Sequence, residues 1–443
     1  MSHRSSALLC SALALTALAA APDRAAALDV PVAKAAITTE LDHDYPKLDA
    51  LYKDIHAHPE LGFQETATAA KLAKAMRALG FTVTEGVGKT GIVAIYHNGP
   101  GPTVLVRTEL DALPMEEKTG LPYASTAKQT WNGKETFVDH SCGHDIHMAT
   151  WVGTATALLS MKDKWSGTLM FVGQPSEELV SGAKAMIDDG LFTRFPKPDY
   201  GFALHVGPGP YGGVAYKPGV ISSNSDALEI DFKGRGGHGS MPSLTIDPVM
   251  EAARFVVDVQ SVISREKDPA AFGVVTVGAL QAGSAGNIIP DHALLRGTIR
   301  TYDPKVREKI LAGVRRTAEA VAAMAGAPEP DVTIDEGGKA VVNDADLTAR
   351  TGAVFKAAFG DKAVEETSPG AASEDYSEFI LAGVPSVYFS LGGLDPQMLA
   401  DARKAGKPVP ANHSPFFAPV PEPTIRTGVT AMTLAVLDVM EKK

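Results

Sequence analysis

The sequence predicts an α/β protein in which a mostly parallel sheet carries an inserted ferredoxin-like domain. Up to about residue 221, short apolar strands such as PTVLVRTEL (102–110) and GTLMFVGQP (167–175) alternate with stretches of helical apolar spacing. Strands that alternate with helices favour a parallel sheet covered by helices on both faces. Between about 222 and 336 the predicted order changes to β-α-β-β-α-β, which matches the split βαβ unit.

The larger predicted domain comprises residues 28–221 and 337–443. Its first part has a further strand in YGFALHV (200–206) and three segments with helical apolar spacing: YPKLDALYKDIHAHPE (45–60), ETATAAKLAKAMRALG (65–80) and HMATWVGTATALLSM (147–161). We expect Gly80 to stop the second of these helices. The part after the insert is predicted to contain a helix near 345–359, a helix in SEDYSEFILAG (373–383), a strand in PSVYFSL (385–391) and a terminal helix after Pro423.

The predicted insert, residues 222–336, has its own strands and helices. Four segments are typical of half-exposed strands: DALEIDFKGRG (226–236), AFGVVTVGALQAG (271–283), HALLRGTIRTYD (292–303) and PDVTIDEG (330–337). Two long helices are predicted between them, over 245–265 and 304–326. A chain of roughly 415 residues after a leader exceeds the usual size of one core, so two domains are the default expectation.

The N-terminus is typical of a secretory signal peptide, which we place at residues 1–27. Arg4 precedes an apolar run over 7–21, and small residues offer cleavage sites between Ala19 and Ala27. The protein is therefore expected to be exported, and periplasmic in a bacterium with two membranes. Its net charge of -11 argues against nucleic acid and anionic membranes as partners.

Cys142 lies in HSCGHDIHMAT (140–150) and is the only cysteine outside the predicted leader, which contains Cys10. A lone cysteine cannot close an intramolecular disulfide, which leaves an inert buried thiol, an intermolecular bridge, a nucleophile or a metal ligand. Polar residues also follow several predicted strands, where the ligand groups of parallel sheets gather. Loop residues and strand-end residues together offer a thiolate, imidazoles and carboxylates suited to zinc or a similar divalent ion: Cys142, His144, Glu177, Glu178, His205 and His413.

The adjacent glutamates of GQPSEE (173–178) point in different directions in an extended backbone. One can bind a metal ion while its neighbour reaches a water molecule held by that ion, which is the division of labour that hydrolysis needs. We assign Glu178 as the ligand and Glu177 as the general base. An acidic pair on a solvated strand end is the alternative.

Ten stretches, in order along the chain, resemble the metallopeptidase family of aminoacylases, hippurate hydrolase and the plant auxin–amino-acid conjugate hydrolases. They are HAHPELGFQE (56–65), RTELDALPMEE (107–117), HSCGHDIHMA (140–149), GQPSEE (173–178), LHV (204–206), GRGGHGSMP (234–242), GNIIPD (286–291), GTIRTYD (297–303), SEDYSEF (373–379) and HSPFF (413–417). The resemblance implies a metallopeptidase catalytic domain with an inserted lid or dimerisation domain.

The resemblance also implies which residues bind metal. It places two divalent ions, zinc, manganese, cobalt or nickel, on five ligands and the general base on Glu177; the ligands are Cys142, His144, Glu178, His205 and His413. It gives Asp111 the task of orienting a metal-bound histidine. The role of Glu109 stays open, and the remaining nearby histidines are expected to be structural or exposed: His56, His58, His140 and His147.

The insert contributes three candidates by the same resemblance. His238 in GGHGSMP matches a donor to the oxyanion of the tetrahedral intermediate, often supplied by a partner subunit, so a homodimer through the insert is expected. Asn287 and Arg300 match residues that bind the carboxylate or carbonyl of the substrate, and an arginine fork suits a carboxylate. A cross-strand salt bridge is the alternative for Arg300.

These assignments predict an exported amidohydrolase that cleaves N-acyl or N-aroyl amino acids into a carboxylic acid and a free amino acid. A dipeptidase or carboxypeptidase on the same scaffold is the nearest alternative. A catalytically silent relative that binds a metal ion or an amino-acid conjugate is the alternative from another class.

Overall fold

The computed structural model describes residues 28–442, so the predicted signal peptide lies outside the described residues. The elements before the insert are α1 Val30–Ala57, α2 Thr66–Ala78, β1 Thr82–Val87, β2 Gly91–Asn98, β3 Thr103–Glu109, β4 Lys128–Trp131, β5 Lys134–Phe137, α3 His144–Ser160, β6 Gly167–Gln174, α4 Gly182–Asp188, α5 Leu191–Arg194, β7 Tyr200–Pro210, β8 Val214–Tyr216 and β9 Gly219–Val220.

The second part of the chain contains a smaller sheet and then returns to the larger one. Residues 224–336 form β10 Asn224–Lys233, β11 Gly237–His238, α6 Pro248–Asp258, β12 Gly273–Ala282, β13 Ile288–Ile289, β14 His292–Thr301, α7 Pro304–Ala325 and β15 Asp331–Glu336. The chain ends with β16 Val342–Asn343, α8 Ala345–Phe359, β17 Ala363–Glu365, α9 Ser377–Leu381, β18 Ser386–Leu394, α10 Pro396–Ala405 and α11 Pro421–Met440.

The central sheet has eight strands in the order β1-β2-β6-β3-β7-β18-β8-β17. The pairs β3–β6, β3–β7, β7–β18 and β8–β17 are parallel, and the strands at the β1 edge are antiparallel. Helix α3 is buried on almost every side and packs between α1 and α11 against the sheet. The predicted α/β class with a mostly parallel sheet is confirmed.

The smaller sheet is antiparallel throughout, in the order β12-β14-β10-β15. One face packs on α6 and α7 around a core of its own, which includes Ile230, Phe232, Phe255 and Ile310. This is the predicted β-α-β-β-α-β arrangement, apart from the short extra strands β11 and β13. The boundaries at 222 and 336 stay a prediction.

Several details differ from the sequence-based expectations. Helix α1 begins at Val30 instead of Tyr45, because Ile37 and Leu41 continue the buried stripe on the core side, and it runs through Pro46. Strands β1 and β2 are additional to those that the sequence pattern predicts. The helix expected from residue 373 begins only at Ser377, because the residues before it turn into a buried ion network. No helix within 28–442 has the length and apolar character needed to cross a membrane.

Candidate active site

The predicted ligands meet at one edge of the central sheet. Cys142 and His144 flank Gly143, whose φ of 90° starts α3; a Cβ on Gly143 would lie 2.4 Å from the side chain of Val206. The left-handed turn therefore needs glycine both for its conformation and for space. Four further ligand or base residues come from β7, from the loop after β6 and from the loop after α10: His205, Glu177, Glu178 and His413.

The distances show how closely these groups lie. Cys142 Sγ lies 3.4 Å from His205 Nε2, and His413 Nε2 lies 3.3 Å from Glu178 Oε2. His144 Nε2 is 3.9 Å from Glu178 Oε1. Ligand atoms of Cys142, His144 and His205 all lie within 4.8 Å of one another, and so do those of Cys142, Glu178 and His413. Cys142 thus belongs to both groups.

The donor atoms fit a divalent cation. His144 Nδ1 donates to the carbonyl oxygen of Asp111 at 2.8 Å, so its Nε2 carries the lone pair toward the cluster. Within residues 28–442, neither this Nε2 nor Glu178 Oε1 has a hydrogen-bond partner, although both are buried. Buried polar atoms are normally satisfied, and a sulfur, nitrogen and oxygen ligand set is one that zinc and similar metals accept.

The cluster concentrates buried acidic groups. Burial and the carboxylates of Glu178 and Glu177 raise the pKa of the Cys142 thiol well above its usual range. Burial and the neighbouring Glu374 raise the pKa of Glu177 in the same way. A divalent cation in contact would reverse the direction for Cys142, because it stabilises the thiolate. The burial of Cys142 also argues against an intermolecular disulfide, and that of Glu177 against a solvated acidic pair.

Asp111 contacts the site in two ways. Its carbonyl accepts the His144 hydrogen bond, whereas its carboxylate Oδ1 lies 3.6 Å from the same nitrogen. Its Oδ2 accepts the backbone N–H of Glu178 at 2.9 Å. The carboxylate therefore holds the loop of the glutamates, while the main chain orients the imidazole.

Glu109 and His147 form a supporting pair beside the ligands. His147 Nε2 accepts the backbone N–H of Val206 at 2.8 Å, so its Nδ1 donates to Glu109 Oε2 at 2.9 Å. Glu109 also forms a buried ion pair with Arg107. Both nitrogens of His147 are thus engaged, in line with a structural histidine.

The other three histidines differ in their surroundings. His56 is buried and lies between Asp145, at 2.6 Å, and Glu117, at 3.1 Å. Burial alone would lower the pKa of His56, but these two carboxylates outweigh it and raise the pKa to about 10. His58 is exposed, and His140 is buried with no hydrogen-bond partner for its ring within 28–442.

The ligand cluster opens into a cavity of about 690 Å³ that also receives Arg300 from β14. Arg300 is half-buried, and its Nη1 donates to Ser373 Oγ at 3.5 Å. It forms no salt bridge with any described residue, so the cross-strand salt bridge is not present. A guanidinium with no carboxylate partner among residues 28–442 thus faces the same cavity as the predicted base and ligands.

His238 and Asn287 do not reach this cavity. His238 lies on β11, which pairs with β13 directly after Asn287, and both side chains are exposed. The hydroxyl and the backbone N–H of Ser240 lie against His238 Nδ1, at 2.8 and 3.1 Å. The structure of one chain therefore brings together the residues of the larger domain and Arg300, but not these two.

A buried network behind the cluster is not among the sequence-based assignments. Arg107 donates to Glu374 Oε1 at 2.7 Å, and Tyr388 donates to Glu374 Oε2 at 2.5 Å. Glu374 and Tyr388 both line the cavity. The motifs RTEL and SEDY contain two of these residues, but only the fold brings them into contact.

The chain matches a protein-family model, "Peptidase family M20/M25/M40", over residues 105–435, most of the part that forms the sheet and the site. The chain belongs to this family. Members of the M20 family hydrolyse amide bonds, and this M20 chain is an enzyme of that kind.

Three relatives illustrate the range of the family. Thermostable carboxypeptidase 2 of Saccharolobus solfataricus is 34% identical over 88% of this chain and 94% of its own. Hippurate hydrolase of Campylobacter jejuni is 36% identical over 75% of this chain and 85% of its own. The crystal structure of the Bacillus subtilis YXEP protein, a dinuclear metal-binding peptidase of the M20 family, has a TM-score of 0.70 and 27% identity, covering 92% of this chain and 100% of its own.

Proposed function

We propose that the protein hydrolyses the amide bond of N-acyl or N-aroyl amino acids, releasing a carboxylic acid and a free amino acid. The observation that carries this proposal is the cavity in which Arg300, without a salt bridge to any described residue, faces the same space as Glu177 and the ligand cluster. An arginine fork pairs bidentately with a carboxylate, so it suits the free carboxylate of the amino-acid half.

Two divalent ions are proposed as cofactors. Five ligands, more than one tetrahedral ion needs, and the shared position of Cys142 support a pair; the similar YXEP protein is a dinuclear metal-binding peptidase. When bound, such ions polarise a carbonyl and lower the pKa of a water molecule. The five proposed ligands do not select among zinc, manganese, cobalt and nickel, because availability helps to decide occupancy.

Glu177 is proposed as the general base. It is buried beside the ligands, with its Oε2 3.8 Å from His144 Nε2, and it lines the cavity. It accepts the proton of the attacking water and then donates it to the departing nitrogen. Arg300 holds the carboxylate of the substrate during both steps.

We further propose that His238 acts from a second copy of the chain. Several apolar side chains on β13 and in the segment that follows His238 are exposed: Met241, Leu244, Val249, Met250 and Ile288. An apolar patch beside an exposed polar side chain suits a protein–protein contact. A homodimer through the insert would bring His238 and Asn287 of one subunit to the cavity of the other, where His238 would donate to the oxyanion.

A carboxypeptidase or dipeptidase is the second candidate, favoured by the 34% identity to a carboxypeptidase. Arg300 would bind the C-terminal carboxylate of a peptide equally well. We would compare benzoyl-glycine, several N-acetyl amino acids and plain dipeptides on metal-reconstituted enzyme, and measure the released amino acid. Preferential release from the N-acyl substrates is expected. Preferential release from dipeptides would favour the second candidate, and no release from any of them would reject both.

The chelator-treated enzyme is the matched control for that panel. Activity should disappear after treatment with a chelator and return on addition of one of the four metals. Activity that survives complete removal of the metal would contradict the proposal.

Export to the periplasm is a separate proposal, and it depends on residues 1–27 alone. Cleavage between Ala19 and Ala27 is expected, since this stretch offers several cut sites flanked by small residues. The mass and N-terminal sequence of the protein from a periplasmic fraction would test it, and a full-length chain in the cytoplasm would contradict it.

A further inference from the structure

The loop that carries Glu177 and Glu178 has an unusual backbone. Ser176 and Val180 both have positive φ, at 50° and 51°. This region is uncommon for any residue with a Cβ and a genuine outlier for a β-branched one. The backbone N–H of Val180 donates to the carbonyl of Glu177 at 2.6 Å, which closes the turn around the two glutamates.

Such a conformation persists only where the surroundings hold it in place. A Cβ on Gly182 would lie 1.5 Å from the carbonyl oxygen of Pro175, so the two ends of the loop are in direct contact. The loop from Pro175 to Ala183 is therefore a tight, closed turn whose shape decides where the glutamates point.

Three buried carboxylates from distant parts of the chain each accept one backbone N–H of this loop. Glu65 Oε1 accepts from Ser176 at 2.8 Å, Asp111 Oδ2 from Glu178 at 2.9 Å, and Asp375 Oδ2 from Ala183 at 2.9 Å. All three carboxylates are at most 1% exposed. Because each contact gives a backbone N–H of the loop an acceptor from outside the loop, the three together fix the loop at its start, middle and end.

Glu65 differs from the other two carboxylates. Asp111 also binds His144 through its carbonyl, and Asp375 also contacts Arg107 and Gln174. Glu65 does not line the cavity, and its second oxygen accepts the hydroxyl of Thr90 at 2.5 Å. Its contact with the site passes through the backbone of Ser176.

We propose that Glu65 is a positioning residue that holds Ser176 in its left-handed conformation and thereby aims Glu177 and Glu178 at the ligand cluster. The role assigned to Glu177 rests on the proposed function. The link to Glu178 concerns metal binding and can be measured without any substrate.

The test compares Glu65→Ala, Glu65→Asp and Glu65→Gln with wild type. The Gln side chain keeps the length of Glu; its amide oxygen accepts from Ser176 and its amide nitrogen donates to Thr90. Burial and the charge of Asp111 raise the pKa of Glu65 to about 7, so a neutral group of the same shape is a mild change. The Asp side chain is one methylene shorter and does not span both partners.

We expect Glu65→Ala and Glu65→Asp to lower kcat by ~10- to 100-fold with little change in KM, because a misplacement near 1 Å costs on that order. Both variants should also lose metal at a lower chelator concentration, since Glu178 moves with the loop. Glu65→Gln should stay near wild type in both measurements. If Glu65→Ala fails to fold, Glu65→Asp carries the test.

Thr90→Val is the matched control, because it removes the other partner of Glu65 and leaves the bond to Ser176. It should reduce the melting temperature without changing kcat or metal retention. Wild-type kcat and metal retention in Glu65→Asp would overturn the proposal, and so would a loss in Glu65→Gln as large as in Glu65→Ala. Failure of the wild type on every acyl amino acid would refute the proposed function alone, because metal retention still tests Glu65.

Discussion

The two regions that supply the predicted site residues are organised in opposite ways. Around Glu178, carboxylates, a thiol and the imidazoles of His205 and His413 lie close together within one chain, and of these only His413 is exposed. Around His238, the hairpin is exposed, and among residues 28–442 the imidazole hydrogen-bonds only with Ser240. The groups around Glu178 already meet within one chain, whereas His238 lies away from the cavity and needs an approaching surface to reach a reaction centre.

The substitution Glu177→Gln should have the largest effect, because it removes the base and leaves the ligands. We expect kcat to fall at least ~100-fold while the metal content stays that of wild type. Glu178→Gln is the paired control and should lose metal as well. Steady-state kinetics with elemental analysis of both variants would check this. Near-normal turnover by Glu177→Gln would show that Glu177 is not the general base.

The substitution His238→Ala tests the exposed region. Loss of an oxyanion donor should lower kcat by roughly 100-fold with the fold and metal content intact. Mixing His238→Ala subunits with Glu177→Gln subunits should restore activity if His238 acts on the partner's site, because each hybrid dimer then holds one complete site. If the mixture stays as inactive as the separate variants after subunits have exchanged, His238 acts on the site of its own chain or takes no part in the reaction.

The substitution Arg300→Met tests the one residue of the insert that lines the cavity with a positive charge. It should raise KM for substrates with a free carboxylate by ~10-fold or more, because the carboxylate of the substrate then lacks the guanidinium as its partner. The change in kcat should be smaller. Substrates whose carboxylate is converted to an amide are the control. Wild type and Arg300→Met should hydrolyse them equally poorly. An unchanged KM for the free acids would show that Arg300 does not bind the carboxylate.

His56 gives the smallest expected effect on catalysis and a distinct effect on stability. Its pKa is about 10 in the folded chain, above the ordinary value of 6.5. The charged contacts with Asp145 and Glu117 therefore stabilise the fold fully below pH 6.5 and are lost as pH rises through about 10. Denaturant unfolding should show a wild-type free energy that falls over this window more steeply than that of His56→Gln, and parallel curves would contradict the assignment.

The same contrast separates what can be predicted from the sequence from what cannot. Glu178 and His205 are expected to meet because polar groups at the carboxyl ends of parallel strands share one edge of the sheet, whereas Cys142, in a loop before a helix, is expected there through the resemblance. The contact of Glu65 with Ser176 cannot be predicted, because it joins residues 111 positions apart through a backbone N–H. The left-handed conformation of Val180 contradicts the local preference of valine, so only the tertiary contacts explain it.

The fold shows the same limit. The strands β6 and β7 are predictable because they are continuous apolar runs, while β1 and β2 are not, since the polar residues of TVTEGV and GIVAIYHN weaken that pattern at the sheet edge. The role of Asp111 is expected through its carboxylate, but the structure uses its carbonyl for the imidazole. The sequence motif identifies Asp111 but does not show which of its oxygen atoms accepts the hydrogen bond from His144.

The short strands β9 and β16 pair antiparallel, with Val220 opposite Val342, where the chain leaves and re-enters the larger sheet. The two points at which the chain enters and leaves the insert are therefore neighbours, and a short connector would join Val220 to Val342. We expect that a shortened chain joining them directly keeps the eight-stranded body and its metal site while losing Arg300, His238 and Asn287 together. If the proposed roles of these three residues hold, the part of the chain that carries the ligand cluster and the part that binds the substrate could be exchanged separately in evolution.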